Sequence, residues 1–139
     1  MTRRQLPYRS DFAIDPRYAA VLRLFGVRRG SAWVEVDEER LRVRFGFWRF
    51  ETGVANVDCV RLTGPYRSAL RAIGPHISLK DRGISFGTNT EAGVCVLFRR
   101  PVPGRETLGL ISHPGLTVTP VRPKDLAGAI TAARDAAAR

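Results

Sequence analysis

Between Trp33 and Thr52 the chain reads WVEVDEERLRVRFGFWRFET, and apolar and charged residues alternate there with a period of two. Val34 and Val36 fall on one side, Glu35 and Asp37 on the other. Leu41, Val43 and Phe45 oppose Arg40, Arg42 and Arg44. A period of two marks strands with one face buried and one in water, the habit of antiparallel sheets. The connections are short, Asp37 to Arg40 and then a turn at Gly46. The segment is a β-meander, and the remaining chain reads as its continuation.

Residues 1–11 read as a flexible arm and 12–139 as one domain, the ordinary expectation for 139 residues. Asp15-Pro16 opens a helix over 16–25, with Asp as N-cap, Pro at the first helical position and Gly26 as the stop. Tyr18, Val21, Leu22 and Phe25 form its expected apolar face. Four strands follow at about 32–37, 41–45, 48–52 and 58–63. A long connection, GPYRSALRAIGPH, covers 64–76 and is bounded by two Gly-Pro pairs. Ile77-Ser78-Leu79 reads as a short extension strand, and 84–87, 94–99 and 116–121 as the remaining strands. The loop RPVPGRETLGLISHPG separates the last two of these. Pro123 opens a helix over 123–137 whose stripe of Leu126, Ala129, Ile130, Ala133 and Ala137 has helical spacing. Asp125 in its first turn and Arg134 near its end suit the helix dipole.

Seven strands in a four-plus-three arrangement, closed by a helix directly after the last strand, resemble a pleckstrin-homology-like barrel spanning 31–121 with a capping helix at 123–137. GVANVDCVRLTGPY, GVCVLFR and GLTVTPVRPKDLAGAI are similar to the repeated pattern of small bacterial domains of that superfamily. The resemblance implies a binding or scaffold domain. It also points to a phosphoinositide site at the first hairpin, whose second half Arg42 and Arg44 would match. The hairpin turn Asp37-Glu38-Glu39 is acidic and would repel a phosphate. The tryptophans, Trp33 and Trp48, lie in the meander rather than in the capping helix, which carries Leu126 and Ile130. A helix-grip fold is the alternative architecture, and it would imply a small apolar ligand in a cavity.

Several chemistries are read against. Gly83-Ile84-Ser85-Phe86-Gly87 matches GxSxG, but a nucleophile elbow needs a strand–turn–helix, and TNTEAGVCV reads as a turn and another strand. His76 and His113 stand beside prolines in loops, and Cys59 and Cys95 lie in strand-like runs. No pair has metal-ligand spacing. No GxxxxGK phosphate loop is present. The expectation is a non-enzymatic domain with no cofactor and no metal. Early arginines without an apolar run behind them do not read as a signal peptide, and no segment is apolar enough to span a bilayer. Two isolated cysteines fit reduced thiols in a cytoplasmic protein.

Net charge is +10, and lysine occurs only at Lys80 and Lys124. Arginine supplies nearly all the positive charge, which a compositional bias also produces. Arg40, Arg42 and Arg44 are expected to pair across strands with Glu35, Asp37 and Glu51. A second basic group is offset within its span only by Asp81 and is interleaved with apolar residues. Its basic members are Arg61, Arg67, Arg71, His76, Lys80 and Arg82, and Tyr66 and Leu70 stand between them. Arginine and aromatic residues with loose apolar neighbours are what an interaction surface uses. These residues form the candidate contact surface, with an unknown protein as the expected partner and nucleic acid or an anionic lipid surface as the alternative.

Overall fold

The computed structural model describes residues 6–78, 82–104 and 111–139. The chain is mainly β with one long C-terminal helix, and its strands form two sheets rather than a closed barrel. The first sheet holds β1 (Tyr8–Asp11), β2 (Ala32–Val36), β3 (Arg40–Phe45) and β4 (Trp48–Gly53) in sequence order, all antiparallel. The second holds β5 (Val57–Thr63), β6 (Gly74–Ile77), β7 (Ile84–Gly87), β8 (Gly93–Pro103) and β9 (Ser112–Val118) in the order β5-β8-β9-β7-β6. There β7 and β9 run parallel and the other neighbours antiparallel. Among the described residues three α-helices complete the fold, α1 (Ala19–Arg23), α2 (Ala69–Ala72) and α3 (Pro123–Ala137). No helix among the described residues is long and apolar enough to cross a membrane.

The expected seven-stranded barrel is corrected at three places. First, residues expected as a flexible arm supply β1, which pairs with β2 from Tyr8↔Val36 to Asp11↔Trp33. An edge strand needs only backbone partners on one side, so it forms without an alternating apolar pattern. Second, the strand expected as fourth in the meander opens the second sheet instead. A 3-10 turn at Val54–Asn56 redirects the chain, with Val54 and Val57 buried beside it. The Asn56 amide then behaves as a strand residue would. Its Nδ2 donates to the Arg100 carbonyl and its Oδ1 accepts from the Arg100 amide, both at 2.9 Å. That pair of hydrogen bonds ties the start of β5 to β8. Third, the long loops are shorter than expected. The 64–76 connection contains α2 and the start of β6. The 100–115 connection becomes the ends of β8 and β9, with 105–110 outside the described residues. Of the expected strand at 77–79, only Ile77 belongs to β6, and Leu79 lies outside the described residues.

The core lies between the sheets. Val34, Val36, Leu41, Val43 and Phe45 face inward from the first sheet, and Ile84, Phe86, Val94, Val96 and Phe98 from the second. Two stacked aromatic pairs join the layers, Phe45 with Phe86 at 5.0 Å between centroids and Phe50 with Phe98 at 5.5 Å. α3 packs against β5, β8, β1 and β2, and buries Leu126, Ala129, Ile130 and Ala133 completely, while Ala137 is exposed. A bridge between Phe12 and Pro120 fastens the end of β1 to the segment leaving β9. The opening helix is a 3-10 turn, Pro16–Tyr18, followed by the short α1. Asp15 accepts the Arg17 amide as its N-cap. Only Leu22 of its expected apolar face is fully buried, and Val21 is exposed.

The alternation in VDCVRL places Val60 and Leu62 on the core side of β5, and Leu62 departs from it. Its partner Val94 is fully buried and shares its face of the sheet, but β5 is an edge strand and Leu62 is 52% exposed. Leu62→Thr is therefore expected to shift stability by less than about 0.5 kcal/mol. A fully buried leucine would lose several times more. Urea unfolding measures the difference.

Candidate functional site

Alternation within each strand of the second sheet sends one set of side chains to the core and the other to the outer face. Strand register lines the outer set into a row: Arg61↔Cys95, Cys95↔Thr117, Ser85↔Thr117 and His76↔Ser85. Arg61 is exposed, and Cys95, Thr117, Ser85 and His76 are half-buried. Cys59, opposite Leu97, joins this face one diagonal step from Cys95, and both thiols are free.

The segment 64–73 lies across one end of this face. Two glycines admit it. A Cβ on Gly87 would overlap the Ala72 carbonyl, and one on Gly93 would overlap the Tyr66 hydroxyl. The Tyr66 amide donates to the Thr90 carbonyl at 2.7 Å, and its hydroxyl bonds Thr63 Oγ1. Burial pushes the Tyr66 phenol above its ordinary pKa, and the bond to Thr63 opposes that shift. Between the segment and the sheet runs a groove of about 440 Å³, lined among others by Tyr66, Arg67, Ser68, Ser85, Thr117 and Thr119. Thr88 and Asn89, in the turn after β7, are buried and structural. Both donate to the Ala13 carbonyl, at 2.7 and 2.8 Å, which anchors the turn to the N-terminal segment.

The eight residues expected as one surface divide. Tyr66 and Arg67 line the groove, and His76 sits on the same face. Arg61 lies on β5 and His76 on β6, the two opposite edge strands, so roughly 19 Å of sheet separates them at ordinary strand spacing. Leu70 and Arg71 belong to α2, with side chains outside the described set, and Lys80 lies outside the described residues. Arg82 is exposed, with a left-handed φ of 64°, just before β7. His76 and His113 lie on strands rather than in loops. His113 is fully buried and its Nδ1 donates to the Arg82 carbonyl at 2.7 Å. His76 Nε2 donates to the Ile73 carbonyl at 2.9 Å. No group of three or more metal-ligating side chains occurs among the described residues.

Ser85 sits on this face on β7, next to the β6 edge, with a turn and β8 after it, so the GxSxG match lacks the helix that a nucleophile elbow requires. Sequence reading missed that His76 is directly opposite Ser85, and that Cys95, Thr117 and Ser85 form one row. The alternation in VCVLF, ISFG and LTVT could have placed each residue on a solvent face; only the strand order joins them.

The first sheet confirms part of the expected charge pairing. Arg40 pairs with Glu51, and Arg42 lies 3.5 Å from both Glu35 and Glu51. The Arg40 guanidinium holds the Glu51 carboxyl below its ordinary pKa. Asp37 is lowered first by the amides of Glu39 and Arg40, which both donate to Oδ1 at 2.7 Å. Arg44 departs from the pattern. It makes no ion pair among the described residues, and its cross-strand neighbour is Arg49. Comparison of the whole chain with protein-family models, with curated proteins and with solved structures gives no match in any of the three.

Proposed function

We propose that this chain is a non-enzymatic interaction module that receives a protein segment in the groove on the outer face of the second sheet. The observation that carries the reading is the groove itself. Its lining brings together the Tyr66 ring, the exposed Arg67 and the hydroxyl-bearing Ser85 and Thr117. Tyrosine and arginine are the side chains that contribute most at interfaces, the first through rigid area and the second through forked donation. The fitting partner presents carboxylates or backbone carbonyls to Arg67. The likeness to pleckstrin-homology-like domains rests on α3, which follows closely on the last strand and sets its buried stripe against both sheets. The order β5-β8-β9-β7-β6 departs from the four-plus-three arrangement. Arg61 and His76 stand at opposite edges, so the charge of this face is spread, which favours a protein segment over an anionic surface here.

The test is site-specific photo-crosslinking in cells, with the photoreactive residue at position 67 and, as control, at position 40 on the ion-paired sheet. A discrete adduct at 67 and none at 40 is expected. Equal adducts at both positions would reduce the groove to ordinary surface, and labelling of Ser85 by a fluorophosphonate would overturn the non-enzymatic reading.

A further inference from the structure

A different face carries the stronger electrostatic signal. The β3–β4 turn and the end of α1 meet there: the Phe47 amide donates to the Phe25 carbonyl at 3.3 Å, and the Phe47 ring lies over Gly26, 2.8 Å from where a Cβ would stand. Gly26 (φ 74°) thus gives the ring its seat. Phe47 is 78% exposed and neighbouring Leu24 is 77% exposed. Trp48 stands behind them, 6.3 Å from Phe47 and 5.7 Å from Phe25 between centroids. Leu24 precedes Phe25 in the chain, so the hydrogen bond between Phe47 and Phe25 sets the two exposed apolar residues on adjoining backbone, where a contact site would present them.

Beside this tip is a depression of about 570 Å³ lined by Arg23, Arg28, Arg44 and Phe47, with no carboxylate in its wall. Arg29 lines the depression next to it, whose wall also holds the Asp11 carboxylate. Arg44 and Arg49 are directly opposed across β3 and β4, and opposed like charges weaken a sheet. The other half of the same sheet face neutralises its arginines with Glu35, Asp37 and Glu51. On the row of Arg44 the one carboxylate is Asp11, separated from it by Trp33.

We propose that this tip docks on an anionic bilayer, with Phe47 and Leu24 entering the headgroup–acyl boundary and Arg23, Arg28, Arg44 and Arg49 holding lipid phosphates. Charge selects an anionic partner, and the pairing of an aromatic with an aliphatic side chain selects a bilayer. Nucleic acid would use flat rings for stacking and gains nothing from an exposed leucine. The face lies away from the acidic Asp37–Glu39 turn, at the other end of β3.

The test is flotation of the whole chain with phosphatidylcholine vesicles, with and without phosphatidylglycerol, and with a duplex DNA as competitor. Binding only to the anionic vesicles, weakening with salt, is expected. Arg28→Gln with Arg44→Gln should weaken it roughly thirty-fold, since each arginine at an anionic surface contributes about fivefold. Arg61→Gln with Arg67→Gln removes the same charge from the second sheet and should leave binding within about twofold on the same reasoning. Phe47→Ser with Leu24→Ser, which keeps every charge, should also abolish flotation. All these positions are exposed or rim a depression, and the thermal midpoint of Arg44→Gln should hold or rise because it relieves the opposed pair. No flotation by the parent, equal losses in the two arginine pairs, an unaffected Phe47/Leu24 variant, or binding to DNA without vesicles would each overturn the proposal.

Discussion

Ile130→Ala is expected to lower stability by about 2–4 kcal/mol, the ordinary cost of emptying a fully buried aliphatic site. Ile130 has no exposed surface and belongs to the same core cluster as Leu126, Ala129 and Ala133. The substitution improves intrinsic helix propensity, so any loss arises from packing and not from the helix itself. Small residues at 129 and 133 let α3 approach the sheets closely, which leaves few neighbours free to move into the gap. A thermal midpoint lower by roughly 10 °C is the expected reading for a domain of this size. A shift within the scatter of the parent protein would show that α3 is loosely docked and that its stripe is not part of the core.

Gly87→Ala is expected to lift the 64–73 segment off the second sheet. The new methyl would occupy the place of the Ala72 carbonyl, a backbone atom that cannot rotate out of the way. One of the two layers must yield. β7 is held between β6 and β9 by ladder bonds, whereas α2 has only four residues, so the segment is the part that moves. The cost expected for such overpacking is about 1–3 kcal/mol, with the two sheets intact. The Tyr66 amide reports on it directly, because its bond to the Thr90 carbonyl is a tether of the segment and should lose protection from hydrogen exchange. The crosslink from position 67 should vanish with it. Unchanged protection at Tyr66 would mean that the sheet, not the segment, gave way.

The parts of the fold written in local pattern were legible. Val34 to Phe45, Ile84 with Phe86, and Val94 to Phe98 alternate because one face of each strand is buried, and their inward residues are buried as the pattern requires. The α3 stripe was legible from its helical spacing. What local pattern does not encode is which strand lies beside which. β1 has almost no apolar signal because only Ser10 among its residues is buried, and its order comes from backbone pairing with β2 and from α3 packed against it. Val60 and Leu62 alternate as a core strand does, yet Leu62 is exposed because β5 ends the sheet. The groove shares this limitation. Tyr66 and Arg67 could be found from charge and aromatic content. Ser85 and Thr117, which line the same groove, come from strands that neighbour each other only after β9 has entered the sheet.

That placement of β9 has a kinetic consequence. β7 and β8 are consecutive in the chain but do not touch as strands, because β9 lies between them, antiparallel to one and parallel to the other. Until β9 exists, the β6–β7 hairpin has no sheet to join, and β8 can pair only with β5. Assembly from the N-terminus therefore stalls as two separate pieces, with one late strand acting as keystone. Pairings of this kind close long loops before any contact rewards them, so they form slowly. For this chain the rate of folding should be set by the capture of β9, and the open edges of β7 and β8 are the surfaces at risk of pairing with another molecule while they wait.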